Sequence, residues 1–253
     1  MNEEVLFSLI VDLHLDGDRQ GPGSEKDTLR ALAHAQFDTL STLKVADIGC
    51  GTGASTIVLA KNLPNAEITA VDLFPEFLTV LKQRAEQEGV STKIKAIEGS
   101  MDALPFADDS FDLIWSEGAI YNIGFKKGIE LWKPFLKTGG VLAVSEITWL
   151  HPNPPEEIRS HWEAEYPEIS TASEKIKVLE EAGYDLLGYS VLPPSSWLEN
   201  YYIPTESRIH RFTARHEGVQ EVEDLIAMER QEAKLYKQYK KWFSYGFYVV
   251  VKR

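Results

Sequence analysis

One short stretch, VADIGCGTG at residues 45–53, constrains the fold of this chain more than any other. It begins as an apolar run that ends in Asp47, after which three glycines alternate: Gly49, Gly51 and Gly53. A helix-like segment, 54–63, follows and ends at Pro64. Glycine allows a tight turn and a close approach to a ligand, and a helix start presents free N–H groups to an anion. This order predicts the first half of a nucleotide-binding βαβ unit.

The glycines alone leave two classes of cofactor open. The spacing Gly49-x-Gly51-x-x-Ala54 also fits the dinucleotide fingerprint with its last glycine replaced by alanine. Asp72 ends the next strand-like run, 68–71, where a carboxylate can bind the two hydroxyls of a ribose in either case. At this point an NAD(P)-dependent oxidoreductase is therefore an open alternative.

Strand and helix patterns alternate from residue 45 onward, which predicts an α/β fold with a doubly wound, mostly parallel sheet. The seven predicted strands cover residues 45–48, 68–71, 93–97, 111–115, 141–144, 185–191 and 247–251. We divide the chain into an N-terminal helical cap segment, a core, a helical cap insertion and a final strand of the core. These segments are residues 1–23, 24–196, 197–242 and 243–253.

The insertion 197–242 interrupts the sheet before its last strand, and a helix predicted over 3–13 precedes the sheet. Both carry an apolar face that needs burial. Because open α/β sheets bind ligands at the carboxyl ends of their strands, we predict that the two close over that edge together. The glycine-containing loop 16–23 would be their hinge. The run 234–241, with lysines and tyrosines interspersed, is interpreted as a solvated helix face.

Three further segments lie at the ends of predicted strands: GSMDALPF (99–106), DDSFDLI (108–114) and LKTGGVL (136–142). Together with the glycine turn, they make the stretch from Ser24 to Glu146 resemble the class I S-adenosylmethionine-dependent methyltransferases. Within that class the chain is similar to the ubiquinone/menaquinone biosynthesis C-methyltransferases. A dinucleotide dehydrogenase needs neither the acid–Pro–Phe–acid segment nor the Gly-Gly turn at those places. The resemblance implies a Rossmann-like methyltransferase fold and S-adenosyl-L-methionine as the cofactor.

The cofactor contacts of that class carry over position by position. The resemblance implies that Asp47 faces the ammonium group of the methionyl part and that Asp72 binds the ribose. Leu73 and Met101 would pack against the adenine, and Asp102 would accept a hydrogen bond from its amino group. The expected cofactor-binding residues are Asp47, Gly49, Cys50, Gly51, Gly53, Asp72, Leu73, Ser100, Met101, Asp102 and Glu117.

Methyl transfer from a sulfonium is an in-line displacement that depends on alignment in a dry pocket, and a base is needed only if the nucleophile must lose a proton. Glu117 sits where the methyl group meets the substrate in the family, and it is a candidate catalytic residue together with Tyr121. The acceptor is expected to be a small molecule. Its candidate contacts are Tyr121, Asn122, His151, Trp197, Tyr201 and Tyr202. The last three aromatic side chains suit a packed cap core equally well, and a non-catalytic cofactor-binding protein also stays open.

Composition excludes several classes of partner. The chain has 39 acidic against 26 basic residues and a net charge of −13, which argues against nucleic-acid binding. None of the six histidines is spaced for metal ligation, and the apolar runs are too short to span a bilayer, so we expect neither a metal site nor a membrane span. The single cysteine, Cys50, and an acidic N-terminus favour a cytoplasmic location. The aromatic insertion would also suit a homodimer interface.

Overall fold

The computed structural model describes residues 3–37 and 40–253, with side chains from Val5 onward. Within these described ranges, eight strands form one sheet: β1 (Lys44–Ile48), β2 (Glu67–Asp72), β3 (Ile94–Glu98), β4 (Phe111–Glu117), β5 (Leu136–Trp149), β6 (Ser170–Thr171), β7 (Tyr184–Val191) and β8 (Phe243–Lys252). The order across the sheet is β3-β2-β1-β4-β5-β8-β7, and the two-residue β6 pairs only with β5. The predicted α/β fold with a sheet of about seven strands is confirmed.

Strands β1 to β5 are parallel, whereas β8 runs antiparallel to both β5 and β7. Strand β5 is longer than the predicted 141–144 because β8 pairs with it without a break from Val141–Val251 to Trp149–Phe243. The chain leaves β1 toward β2 on one side and returns to β4 on the other. The strand order therefore reverses at β1, and a crevice for a ligand forms at its carboxyl end.

The helices surround this sheet and extend beyond it. They are α1 (Glu3–Leu15), α2 (Glu25–His34), α3 (Ala54–Asn62), α4 (Pro75–Gln87), α5 (Phe125–Trp132), α6 (Glu156–Glu165), α7 (Ala172–Glu181), α8 (Pro194–Trp197), α9 (Ile203–Arg215) and α10 (Gln220–Tyr239). A π-helical segment, Leu198–Tyr202, joins α8 to α9. Ser24 caps α2 by accepting a hydrogen bond from the Asp27 N–H at 3.1 Å, as its position before that helix predicts. No helix in the described ranges is both long and apolar enough to cross a membrane.

The sheet has a hydrophobic cluster on each face, because successive side chains of a strand point to opposite sides. On β4, Leu113 and Trp115 lie in one cluster, and Ile114 lies in the other. The first cluster reaches α3, α4 and the aromatic residues of the insertion, and the second covers α5 and α7. The strands are thus buried on both faces, as parallel sheets usually are.

The N-terminal helix and the insertion share a third hydrophobic cluster, separate from the two on the sheet. Helix α1 packs against α9 and α10. The buried members are Leu9, Leu13, Ile209, Phe212, Val222, Leu225 and Ile226. Two segments about 200 residues apart in sequence therefore bury each other's apolar faces.

The run 234–241 is not the solvated helix face that its lysines suggest. Tyr236 is fully buried and stacks on Trp197 with ring centroids 4.4 Å apart, and Leu235 and Tyr239 are buried beside it. The residues of α10 that face the rest of the protein recur at spacings of three and four. Within the run 234–241, the lysines and Gln238 lie between them and face solvent.

A buried ion pair joins α7 to the sheet. Lys175 Nζ lies 3.0 Å from Glu146 Oε1, and both side chains are almost completely buried. Burial raises the pKa of Glu146 and lowers the pKa of Lys175, while the attraction between the two opposes both changes. Each partner therefore depends on the other to remain charged.

Replacing Lys175 by methionine should lower the free energy of unfolding by about 3–5 kcal/mol, because Glu146 would be left without its counter-ion. Chemical denaturation measures this loss. The matched control is Lys177→Met on the same helix, whose exposed pair with Glu181 spans 3.7 Å and should contribute about 0.5 kcal/mol or less. Equal losses in the two variants would contradict the role assigned to the buried pair.

Candidate active site

The glycine turn between β1 and α3 is held against the end of β2. Val71 O accepts hydrogen bonds from the N–H groups of Gly49 at 2.8 Å and Cys50 at 3.0 Å. Gly49 has a φ of +72°, and a Cβ there would clash with the Cβ of Ala119. A side chain at this position would therefore be both strained and obstructed, which explains why the turn needs glycine.

Asp72, at the carboxyl end of β2, also fixes the turn. Its Oδ2 accepts from the Gly51 N–H at 2.8 Å, and its Oδ1 accepts from the Phe74 N–H at 3.0 Å. Burial raises the pKa of this carboxyl, and the backbone hydrogen bonds counter that effect. The residue predicted to bind a ribose thus lies at the edge of the crevice, with both oxygens already positioned by backbone groups.

Asp47, at the end of β1, is completely buried. Its Oδ2 accepts hydrogen bonds from the hydroxyls of Ser55 at 2.8 Å and Thr56 at 2.6 Å, both in the first turn of α3. Its Oδ1 has no hydrogen-bond partner among the described residues. Burial is the largest cause of a pKa raised to about 7. A buried carboxylate oxygen without a partner is costly unless a ligand or a proton supplies the missing interaction.

Glu117, at the end of β4, is held by side chains from two other regions. Arg19 Nη1 donates to its Oε2 at 2.6 Å, and Thr28 Oγ1 and Trp115 Nε1 donate to its Oε1 at 2.7 and 2.9 Å. Arg19 was not among the predicted site residues, because it is 98 residues from its partner in the sequence. Its only local signal is a basic side chain within a glycine-containing loop.

The loop 16–23 lies directly on the glycine turn. Gln20 Oε1 accepts from the Thr52 N–H at 2.9 Å, and a Cβ at Gly51 would collide with that same oxygen. Arg84 Nη1 of α4 donates to Asp18 O at 2.9 Å, which fixes the loop from the other side. Gln20 was not among the predicted site residues either, because no sequence motif connects the loop 16–23 with the glycine turn.

The residues expected around an adenine lie on a more open side of the crevice. Leu73 is 55% exposed. Ser100 Oγ donates to Asp102 Oδ1 at 2.5 Å, and Lys127 Nζ lies 3.9 Å from Asp102 Oδ2. These contacts lower the pKa of Asp102, with the Ser100 hydrogen bond as the largest cause. Met101 lies between these residues and the turn, since its Cε would be 3.3 Å from a Cβ at Gly49.

The candidate acceptor residues fall into different places. Tyr121 is 40% exposed, and Asn122 next to it donates to Ala119 O at 2.9 Å. Tyr201 and Tyr202 are buried in the π-helical segment, and burial is the largest cause of the raised pKa of both hydroxyls. Trp197 packs in the core, and its Nε1 donates to Ser244 Oγ at 2.9 Å.

His151 lies apart from this group. Its ring contacts Trp242 with centroids 5.4 Å apart, in a shallow cleft of about 380 Å³ that Pro152, Asn153 and Lys241 also line. Within the described part of the chain, no group of three or more His, Cys, Asp or Glu side chains could hold a metal ion.

Residues 40–202 match the protein family described as "Methyltransferase domain". The chain belongs to this family. The match spans β1 to β7 and ends at the last residue of the π-helical segment. It confirms the resemblance predicted from the motifs, and it favours the methyltransferase interpretation of the glycine turn over the dinucleotide one.

A curated relative is the ubiquinone/menaquinone biosynthesis C-methyltransferase UbiE of Dinoroseobacter shibae. It is 30% identical over 152 residues, which are 60% of this chain and 51% of that protein. The chain spans about a third to a half of the length of the curated relatives it matches.

Two solved structures illustrate the fold. A SAM-dependent methyltransferase from Geobacter sulfurreducens, in complex with S-adenosyl-L-homocysteine, is 18% identical with a TM-score of 0.83 and covers 98% of each chain. The [4+2]-cyclase SpnF is 18% identical with a TM-score of 0.72, over 90% of this chain and 80% of that chain. At these identities the likeness concerns the fold, which hosts more than one chemistry.

Asp47→Asn should reduce the dependence of stability on pH. Because the folded-state pKa of Asp47 is raised from 3.8 to about 7, the folded protein keeps a proton that the unfolded chain loses. The Asp47 contribution therefore makes stability fall as pH rises from about 4 to 7 and stay level above it. Urea denaturation at pH 5 and pH 7.5 measures the difference. If the stability of the native protein and that of the variant changed equally with pH, the raised pKa of Asp47 would be contradicted. Asp108→Asn, at an exposed position, is the control.

Proposed function

We propose that this protein is an S-adenosylmethionine-dependent methyltransferase that transfers a methyl group in line to a small molecule. The observation that carries the proposal is the convergence of three carboxylates around the glycine turn. Asp47, Asp72 and Glu117 end the neighbouring strands β1, β2 and β4. Family membership supports the same conclusion.

The residues present fit such a cofactor, whose methionyl part carries both an ammonium and a carboxylate. The free Oδ1 of Asp47 is a suitable partner for the ammonium. Arg19 would bind the carboxylate in place of its present contact with Glu117. Asp72 would bind the ribose hydroxyls. The adenine would lie along Leu73 and Met101.

The bound cofactor supplies a methyl group on a positively charged sulfur, which is already activated for displacement. The task of this chain is then to orient the acceptor and to exclude water. Segments 1–23 and 197–242 form a cap in this proposal, with the loop 16–23 closing over the cofactor. Glu117 and Tyr121 stand at the boundary between cofactor and acceptor.

Three finer points belong to the proposal as well. The acceptor is a small molecule, consistent with the quinone-pathway methyltransferase among the relatives. A cytoplasmic location is supported by the single, buried Cys50, whose pKa burial raises well above its usual value. A homodimer is supported only by the aromatic content of the insertion. Because a cyclase shares the fold, the proposal depends on the site residues rather than on the architecture.

S-adenosylhomocysteine should bind with micromolar-scale affinity, and NAD should show no comparable binding. Asp72→Ala should weaken S-adenosylhomocysteine binding at least about tenfold, because hydrogen bonds to a charged group contribute about 1.5–3 kcal/mol each. Calorimetric titration measures both ligands. Asp72 also holds the turn through Gly51, so the melting temperature of each variant shows whether the fold is intact. Asp72→Asn is the milder variant, because its amide oxygen can still accept a hydrogen bond from the Gly51 N–H. Tight NAD binding without S-adenosylhomocysteine binding would overturn the proposal.

Closure of the loop can be tested by amide hydrogen exchange. S-adenosylhomocysteine should slow exchange across 16–23, because a ligand carboxylate gives Arg19 a partner inside the closed site. Gln20→Ala should remove much of that protection while exchange in β1 stays slow, since the side chain of Gln20 connects the loop to Thr52. Equal exchange in the loop with and without the ligand would refute the lid.

A further inference from the structure

Arg19 and Glu117 form a nearly buried ion pair that joins the loop 16–23 to the end of β4. Arg19 Nη1 lies 2.6 Å from Glu117 Oε2, and the two side chains are only 12% and 9% exposed. Both charges have lost most of their contact with water, so each depends on the other or on an equivalent charge in its place. A ligand can therefore separate the pair only by supplying a substitute for one of the two partners.

The two oxygens of the Glu117 carboxylate are held by different parts of the protein. Oε1 accepts from Thr28 Oγ1 at 2.7 Å and from Trp115 Nε1 at 2.9 Å, on α2 and β4. Oε2 accepts from Arg19 Nη1 in the loop. Because the contacts of Oε1 do not involve the loop, the carboxylate keeps its orientation if Arg19 turns away. Oε2 is then the oxygen that loses its donor.

The loop has other anchors, which do not depend on this ion pair. Gln20 Oε1 accepts from the Thr52 N–H at 2.9 Å, and Arg84 Nη1 donates to Asp18 O at 2.9 Å. Neither contact involves the end of β4. The side chain of Arg19 can therefore change its partner while the loop stays on the glycine turn.

Asp47 responds to both members of the pair. Burial is the largest cause of its raised pKa, and the charge of Glu117 raises that pKa further, whereas the charge of Arg19 lowers it. The Oδ1 atom of Asp47 has no hydrogen-bond partner among the described residues. An amino-acid group, with an ammonium and a carboxylate on one carbon, thus meets an acid that needs a partner and a cation that already has one.

We propose that the Arg19–Glu117 ion pair is an autoinhibitory contact that orders the binding of the two substrates. The carboxylate of the cofactor takes Arg19 from Glu117, and the Glu117 oxygen released by this exchange then accepts a hydrogen bond from the methyl acceptor. This inference rests on the function proposed above. The exchange replaces one ion pair by another, so no covalent bond changes and no proton moves.

The exchange links the two binding sites energetically. Before it, an acceptor meets a carboxylate whose charge is balanced by Arg19 and whose two oxygens are both engaged. After it, one oxygen is free and the negative charge of Glu117 faces the acceptor. The acceptor therefore binds more tightly to the cofactor-loaded protein than to the empty one, and by thermodynamic reciprocity the acceptor strengthens cofactor binding equally.

The competition can be measured without the acceptor, by comparing two ligands that differ in a single carboxylate. The ligands are S-adenosylhomocysteine and its decarboxylated analogue, which keeps the adenosine, the thioether and the amine. Only S-adenosylhomocysteine has the group that competes with Glu117 for Arg19. Calorimetric titration of the native protein gives the two reference affinities.

Glu117→Gln should tighten the binding of S-adenosylhomocysteine roughly threefold to tenfold, because Arg19 no longer gives up a charge-assisted hydrogen bond. Thr28 and Trp115 are donors, so they retain the amide oxygen, and the amide nitrogen then faces Arg19 as a second donor and releases it. The decarboxylated analogue should gain no affinity. A residue that merely contacted the cofactor would instead weaken the binding of both ligands when replaced.

Two further variants assign the gain to the pair. In an Arg19→Met background, Glu117→Gln should no longer tighten S-adenosylhomocysteine binding, because the cation for which the two carboxylates compete is absent. The matched control is Glu206→Gln, which breaks an exposed pair with Arg230 at the same distance of 2.6 Å and should change neither affinity. The melting temperature of each variant shows whether it is folded.

Infrared difference spectroscopy tests the exchange in the native protein, without any variant. In protein that carries isotopically labelled glutamate, S-adenosylhomocysteine should shift a glutamate carboxylate band, and the decarboxylated analogue should leave that band in place. Identical glutamate spectra with the two ligands would refute the exchange. So would Glu117→Gln if it left S-adenosylhomocysteine binding unchanged or weaker, or tightened both ligands equally. Failure of S-adenosylhomocysteine to bind the native protein would instead refute the proposed function.

Discussion

The hydrogen bonds between the glycine turn and the end of β2 are the constraint on which the rest of the site depends. Val71 O and the Asp72 carboxylate together accept from Gly49, Cys50 and Gly51. They fix where α3 begins, and α3 in turn supplies the two hydroxyls that bind Asp47. One set of hydrogen bonds therefore positions the ends of β1 and β2 relative to each other, at the point where the strand order reverses.

The N-terminal segment is joined to that site by polar contacts and to the insertion by apolar ones. Arg19 and Gln20 contact Glu117 and the glycine turn, and α1 packs on α9 and α10. One continuous stretch of chain therefore connects the insertion, through α1, to the cofactor crevice, through the loop 16–23. The polar contacts are the weaker link, since water or a ligand can replace them, whereas the buried apolar cluster has no such substitute.

Local patterns were sufficient where the determinant is local. The glycine turn and Asp72 at the end of its strand each follow from residues a few positions apart. Contacts between distant segments left no such pattern. Arg19 pairs with a residue 98 positions away, and Gln20 reaches Thr52 across 32 positions. The prediction for residues 234–241 was wrong for another reason. Exposed lysines separate the buried tyrosines in the sequence, and such a run has the composition of a solvated helix face.

Two carboxylates of the crevice, Glu117 and Asp47, are balanced in different ways. On the cofactor side, Glu117 already has a cation, Arg19, which a ligand carboxylate could take over. Asp47 has no such cation and relies on two hydroxyls of α3, which leaves its Oδ1 without a partner among the described residues. Burial raises the pKa of Asp47, and a bound cation would lower that pKa again. A ligand that carries both an ammonium and a carboxylate would satisfy Asp47 and Arg19 at once, so the binding of its two ends is coupled through this turn.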